Sequence, residues 1–382
     1  MKLLSVCVLL ALNVALPLGT ATGASLTLPP KPHARASAVR KNSKKTAVKP
    51  APPVDPTDGD NVDGDDLMVR RAAVAALGTV AGSIVAVDPG SGRILTMVNQ
   101  KLALKSGFTP CSTIKLVTAL AALSERIVQR DTFLYLGRYA SYNLTTAIAL
   151  SNNQYFARLG TMLGYERVMR YARMLGLGEK AGLDILGEQP GGVPDHSPAA
   201  SGMGMLTAFG EGFLMTPLEL AAVLSAIANN GTLYYLQYPQ TPAKAEQFTP
   251  KVKRELQLAT GGISDIKMGM RAAVDYGTGR RAGYDPAEPI LGKTGTCTDF
   301  RASSHMGWFG SFNEVAHHQI VVVVMLIGSR AVTGPMAAGV AGAVYRNLSE
   351  QHYFLADAGK KPDLPEMIST GPCCTAVPAR DR

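Results

Sequence analysis

The sequence predicts an α+β fold: a mainly antiparallel β-sheet built from both ends of the chain and flanked by helices, with an all-helical subdomain inserted over about residues 110–260. Two β-rich runs at 83–87 and 93–98 flank the turn Asp88-Pro89-Gly90-Ser91-Gly92 and form a hairpin near the start of the body. Three more strand patterns, at 289–296, 306–312 and 319–327, cluster near the other end. Between the two groups, apolar residues recur at helical spacing. With 46% hydrophobic and 18% charged residues among 382, the chain has the means to bury a large core and is not a disordered protein.

The chain opens with Lys2, an apolar run over residues 3–18 and a small-residue stretch (Thr20, Ala21, Thr22, Gly23, Ala24). This is the pattern of an export signal over residues 1–24, cut after Ala21 or Ala24. The run also lies at the lower limit for an uncleaved membrane anchor. On either reading the body is expected in the periplasm or cell envelope, with any membrane contact through this segment alone. Residues 25–66 turn to Pro, Ala, Lys and Asp and read as a disordered linker. The six Asp between Asp55 and Asp66 do not make a calcium loop, because the glycine is misplaced and no Glu closes it. A domain over 67–355 and a flexible tail over 356–382 complete the expected layout.

The formal charge of +9 falls to +7 on residues 67–382, spread without a Lys/Arg stripe interleaved with aromatics. Nucleic acid is therefore not an expected partner, and anionic wall polymers suit the charge better. The five cysteines (Cys7, Cys111, Cys297, Cys373, Cys374) lack metal-ligand spacing, so neither metal nor cofactor is expected. Disulfide pairing stays open at this level.

Within the body, Thr109-Pro110 introduces a helix over 112–124 with Ile114, Val117, Leu120 and Ala121 on one face. Further helices are predicted at 144–150, 155–163, 165–175, 217–228 and 263–274; Asn230-Gly231 stops the fourth of these. The run 320–327 is wholly apolar yet too short to cross a membrane, which makes it a buried central strand. A small-residue helix over 334–348 is expected to pack closely on the sheet.

Three motifs carry chemistry: Ser112-Thr113-Ile114-Lys115, Ser151-Asn152-Asn153 and Lys293-Thr294-Gly295-Thr296. Each occurs by chance elsewhere, as Ser264-Asp265-Ile266-Lys267, Ser141-Tyr142-Asn143, Ser311-Phe312-Asn313 and Lys105-Ser106-Gly107 show. Order and local structure decide between them. Ser112 falls in the first turn of a helix, with Lys115 one turn along on the same face. There the unpaired N–H groups favour developing negative charge, and a desolvated Lys can act as base. Ser264 is expected instead to cap a helix, with Lys267 exposed, and Ser141 to cap the helix after Asn143. Lys293 to Thr296 end a strand expected at a sheet edge, where an extended peptide can add on and a carboxylate can be bound. Gly295 would let a substrate backbone come close.

This ordered set resembles penicillin-binding protein transpeptidase domains, members of the serine penicillin-recognising superfamily that includes β-lactamases. Ala86-Val87-Asp88-Pro89 with Gly92-Arg93-Ile94-Leu95, the pieces Gly176-Leu177-Gly178 and Gly182-Leu183-Asp184, Thr216-Pro217-Leu218-Glu219, and Gly277-Thr278-Gly279 extend the likeness over roughly 80–350. The resemblance implies Ser112 as acylated nucleophile, Lys115 as its activator and Ser151 as proton relay. It implies Asn153 on the substrate amide, Lys293 and Thr294 on a terminal carboxylate, and backbone N–H groups of Ser112 and Thr296 as oxyanion hole. The implied activity is D,D-transpeptidase or D,D-carboxypeptidase action on D-Ala-D-Ala stem peptides of peptidoglycan, with β-lactams as inhibitors. Rival readings are a serine β-lactamase and a non-catalytic β-lactam sensor. Asn153 departs from the class D pattern, and Met215 breaks the class A element that Glu211 would begin. Cys111 and Cys297 adjoin the first and third motifs, so the fold would bring them to one cleft, as a disulfide, a thiol pair or two small buried side chains. His305, His317 and His318 offer no Ser–His–Asp arrangement.

Overall fold

The computed structural model describes residues 55–355, apart from residues 139, 200–201, 284, 300–303 and 316–317. The export signal, most of the linker, the tail, Cys7, His317, Cys373 and Cys374 lie outside the described residues. In chain order, helix α1 (Leu67–Leu77) leads into the hairpin β1 (Gly82–Asp88) and β2 (Arg93–Val98). A 3-10 turn (Cys111–Ile114) opens α2 (Lys115–Ser124), followed by α3 (Leu144–Ala149), α4 (Asn153–Leu163) and α5 (Tyr165–Met174). Next come α6 (Gly202–Phe209), α7 (Pro217–Ala228) and α8 (Gly262–Asp275). The chain then returns to the sheet as β3 (Ile290–Asp299), β4 (Ser304–Asn313) and β5 (Val321–Gly328), and α9 (Gly334–Glu350) follows.

The main sheet has the order β2-β1-β5-β4-β3, every neighbouring pair antiparallel. It joins the two chain ends as expected, with β5 in the centre and β3 at an edge. Side chains on β5 alternate between two cores. Val321, Val323 and Met325 enter the core shared with α2, α4 and α7, while Val322, Val324 and Leu326 enter the core under α1 and α9. Burial on both faces explains the unbroken apolar run, each side chain contributing about 1.5–3 kcal/mol. On α9, Ala337, Ala338 and Ala341 are wholly buried, and a Cβ at Gly342 would meet the Ala282 carbonyl at 2.1 Å. Small residues thus let this helix lie close to its neighbours.

The expected linker is corrected at its end. Arg70 of α1 is buried and needs counter-charges, which Asp60 and Asp65 supply at 2.8 and 3.3 Å. Its guanidinium also donates to the Met97 carbonyl at 2.7 Å. Asp60 accepts from the backbone of Asn99 and Gln100, and Asp66 caps α1 by accepting from Met68 and Val69. These Asp residues are parts of the domain rather than of a solvated spacer. Helix α1 is not among the helices expected from sequence, although Asp66 before it and Gly78 after it are cap residues.

A buried carboxylate organises the irregular stretch before α6. Glu219 closes a capping box with Thr216 at the start of α7 and also accepts from the N–H groups of Gly178 and Gly191. Burial pushes its pKa up to about 7 against the opposing pull of those backbone donors. Of the glycine pieces that resemble a family pattern, Gly178 donates to Glu219, while Gly182 donates to a second buried carboxylate, Glu188.

Candidate active site

Ser112 sits in the 3-10 turn that opens α2, reached through Cys111 in a left-handed conformation (φ 52°). Thr113 ties this turn back to the Pro110 carbonyl at 2.6 Å. Ser112 and Lys115 share a face, and Lys115 Nζ donates to Ser112 Oγ at 3.0 Å. The spacing of the motif accounts for this one contact. The others come from elsewhere in the chain.

Ser151 lies between α3 and α4, also left-handed (φ 53°). Its N–H bonds the Ile148 carbonyl, and the Asn152 N–H bonds the Ala147 carbonyl, so α3 ends in a tight reversal. Asn152 then caps α4 by accepting from the Tyr155 N–H at 2.8 Å. The reversal turns the Ser151 carbonyl and Oγ toward Lys115 Nζ, at 2.7 and 3.1 Å, and Asn153 Oδ1 accepts from the same nitrogen at 2.6 Å. Asn153 remains exposed on its other side.

Lys293 reaches in from the edge strand β3. Its Nζ donates to Ser151 Oγ at 2.8 Å and to the Thr294 carbonyl at 2.9 Å. A continuous path therefore runs from Ser112 Oγ through Lys115 Nζ and Ser151 Oγ to Lys293 Nζ. Both lysines are 0% exposed. Burial pulls Lys115 down to about 7. Lys293 lies well below its ordinary value, first through burial and then through repulsion from Lys115. Two ammonium groups bridged by one hydroxyl titrate as a pair, and this pair favours losing a proton near neutrality.

The strand period sorts the third motif. Lys293, Gly295 and Cys297 face the nucleophile side of β3, whereas Thr294 and Thr296 face the other. Thr294 Oγ1 meets Thr278 Oγ1 at 2.6 Å, and Thr296 Oγ1 accepts from the Gly334 N–H at 2.7 Å. A Cβ on Gly295 would lie 3.1 Å from the Pro110 carbonyl and 3.2 Å from Cys111 Cβ. In the structure this glycine permits the close approach of the nucleophile's own loop. Cys111 and Cys297 form a disulfide across the same contact.

Thr278, within Gly277-Thr278-Gly279, belongs to none of the three motifs, yet it lies beside Thr294. The Thr278 N–H bonds the Ala149 carbonyl at 3.0 Å, and a Cβ at Gly277 would come within 2.1 Å of that same oxygen. The glycine lets this loop dock on the end of α3 and set a hydroxyl beside Thr294. The signal was present, but its meaning depends on tertiary contact.

The decoy motifs separate cleanly. Ser141 lies in a short ladder with its neighbour Tyr142, and Asn143 itself caps α3 by accepting from the Thr146 N–H at 3.0 Å. Ser264 is exposed in the first turn of α8 and does not cap it; that position belongs to Gly261. Lys267 is half-buried rather than exposed, because its Nζ closes the end of α7 through the Ala228 carbonyl at 2.9 Å. His305 meets Thr298 across the β3–β4 ladder at 3.3 Å. Among the described residues no helix is long and apolar enough to cross a membrane.

Residues 82–350 match the family model of the penicillin binding protein transpeptidase domain. Stage V sporulation protein D of Bacillus subtilis is 28% identical over 327 residues, covering 73% of this chain and 49% of the relative. Peptidoglycan D,D-transpeptidase MrdA of Acinetobacter baumannii is 25% identical over 303 residues, covering 63% and 45% respectively. The chain spans about half the length of the curated relatives it matches. Among solved structures, Pseudomonas aeruginosa PBP2 in complex with WCK 5153 shares the fold with a TM-score of 0.64 at 24% identity, over 80% of this chain and 81% of that one. The TP domain of Burkholderia pseudomallei penicillin-binding protein 3 gives 0.65 at 19% identity, over 75% and 96%. With 82–350 matched in one piece and the fold shared, the chain belongs to the penicillin-binding protein transpeptidase domain family.

Proposed function

We propose that this chain is a serine acyl-transferase of the cell envelope that acts on D-Ala-D-Ala stem peptides of peptidoglycan. The observation that carries the reading is the convergence on Lys115 Nζ. One buried amine, pulled down to about 7, touches Ser112 Oγ, Ser151 Oγ and Asn153 Oδ1. A neutral Lys115 takes the Ser112 proton as Ser112 Oγ attacks the carbonyl of the penultimate D-Ala. The C–O bond forms, the peptide C–N bond breaks, and the proton passes through Ser151 to the leaving D-Ala amine. An acceptor amine or water then attacks the acyl-enzyme, returns its proton by the same path and restores Ser112.

The remaining residues bind and orient. Asn153 keeps Oδ1 on Lys115 and offers its amide N–H groups to a substrate carbonyl. Lys293 and Thr294, at the edge strand, bind the terminal carboxylate, Thr294 through the hydroxyl pair that it forms with Thr278, and Gly295 keeps the nucleophile loop against β3. Lys293 holds Ser151 and supplies positive charge behind the carboxylate. Backbone N–H groups of Ser112 and Thr296 form the oxyanion hole. The relatives named as peptidoglycan D,D-transpeptidases support the choice of substrate class.

The reading is tested by incubating the protein with a labelled penicillin and following the adduct by intact and peptide mass. A long-lived adduct on Ser112, together with D-Ala release from a D-Ala-D-Ala stem peptide, is expected. Rapid loss of the adduct with accumulating hydrolysed drug would make the chain a β-lactamase. A stable adduct without D-Ala release would make it a sensor. No adduct on Ser112 would remove the reading altogether.

A further inference from the structure

We infer that the Cys111–Cys297 disulfide is a positioning element of the acyl-transfer site, holding the two oxyanion-hole donors at a fixed separation. The inference rests on the acyl-transferase reading above. Its geometric basis is adjacency. Cys111 immediately precedes Ser112, and Cys297 immediately follows Thr296, so the bridge lies one residue from each donor. It spans 186 residues of sequence and joins elements that no local turn connects, with Cα atoms 5.5 Å apart.

The surroundings show that this loop has to be held. Cys111 is wholly buried and adopts a left-handed backbone that a residue with a Cβ enters at a cost of about 1–2 kcal/mol. Such a conformation persists only where neighbours over-determine it. Trp308 Nε1 on β4 donates to the Thr109 carbonyl at 3.1 Å and holds the loop two residues upstream. Gly295 leaves no Cβ between β3 and the Pro110 carbonyl. Each is a non-covalent or steric constraint that still allows the loop to slide along the strand. The disulfide removes that freedom at the residue where a small shift would move the Ser112 N–H.

Lys115 is held independently, by Ser151 and Asn153. Breaking the bridge should therefore move the oxyanion hole and leave the general base in place. Chemically, dithiothreitol attacks at Cys297, the partly exposed residue of the pair, and expels the buried Cys111 thiolate. The reagent delivers two electrons and two protons, leaving two thiols and its own cyclic disulfide.

The test uses the full chain and a fluorescent penicillin, with the non-covalent Kd and the acylation rate constant of Ser112 resolved from concentration series. Intact mass with and without reductant first establishes the bridge; two alkylatable thiols in the native protein would overturn the inference. With the bridge broken by dithiothreitol, the acylation rate constant is expected to fall about 10–100-fold, short of the about 10²–10³ lost when an oxyanion donor is removed outright. Kd should change less than about threefold, and the pH midpoint of acylation should stay put, because Lys115 keeps its partners. Reoxidation with oxidised glutathione should restore the rate.

The double variant Cys111→Ser, Cys297→Ser should reproduce the reduced protein, and the reduced wild type stands in for it if the variant does not fold. Equal acylation by oxidised and reduced protein overturns the inference and leaves the acyl-transferase reading standing. So does a parallel loss of rate, Kd and melting temperature, which would make the bridge a stability brace only. Absence of an adduct in the oxidised protein removes the acyl-transferase reading itself, and the inference with it.

Discussion

The molecule contains the same four-residue spacing twice, and the two copies behave differently. Ser112 and Lys115 open α2; Ser264 and Lys267 lie at the start of α8. In both, helical geometry puts serine and lysine on one side. At the first, Lys115 is 0% exposed and its nitrogen is met by oxygens from residues 36 and 38 positions away. At the second, Ser264 faces solvent while Lys267 turns to the Ala228 carbonyl, Asn230 Oδ1 and the Glu314 carboxylate. Burial lowers both lysines; at Lys267 the Glu314 carboxylate opposes the shift, whereas at Lys115 the shift comes from burial. Spacing supplies a neighbour, and convergence of distant segments supplies the chemistry.

The sharpest way to break this comparison is Lys115→Met, which keeps the packing volume and removes the amine. Acylation of Ser112 by a labelled penicillin is expected to fall by about 10²–10⁴, the contribution of a positioned general base. Lys267→Met, assayed in parallel, should acylate at the unaltered rate. If Lys115→Met still acylates within a few-fold of the parent, the distinction between the two lysines has no catalytic meaning.

A smaller effect separates them by pH. Lys115 has its folded pKa lowered from 10.5 to about 7, so the basic, neutral amine is lost as pH falls through that value. The acylation rate constant should rise close to tenfold per unit below pH 7 and level off above it. A profile still climbing toward pH 10 would show that Lys115 titrates as an ordinary lysine, and one flat from pH 5 to 8 would show that its deprotonation does not govern acylation.

Much of this arrangement was legible before the structure, for identifiable reasons. The order of the three motifs and the unbroken apolar run of β5 are read directly from the sequence, and the helices between the two strand groups follow from the 3.6 period. Ser151 was distinguished from Ser141 by its place between two helices, and the structure puts it there, although Asn143 rather than Ser141 is the cap. What was not legible depends on contacts without a local period. Arg70 recruits Asp60 and Asp65 from a segment whose composition reads as disordered. Thr278 acquires significance only beside Thr294, and Gly295 only beside the loop of Cys111. The helix α6 carries Gly202 and Gly204, whose weak helix propensity hides it. In each case a polar or small residue is explained by a partner far along the chain.

The smallest expected effect sharpens the comparison from the side of the second lysine. Removing the Lys267 amine leaves the Ala228 carbonyl at the end of α7 without its donor and takes away the ion pair with Glu314. Lys267→Met should therefore lower unfolding stability by about 1–2 kcal/mol, as expected for a lost hydrogen bond at a part-buried carbonyl. The exposed share of the ion pair adds little to this. Chemical denaturation at pH 7 measures the change, with the penicillin acylation rate held as the control. Lys115→Met should lose acylation by orders of magnitude whatever its stability, because the lost donors to Ser151 and Asn153 and the removal of a desolvated amine act on stability in opposite directions. Were Lys267→Met to lose acylation while keeping its stability, the second copy would be part of the site, and convergence would no longer tell the two motifs apart.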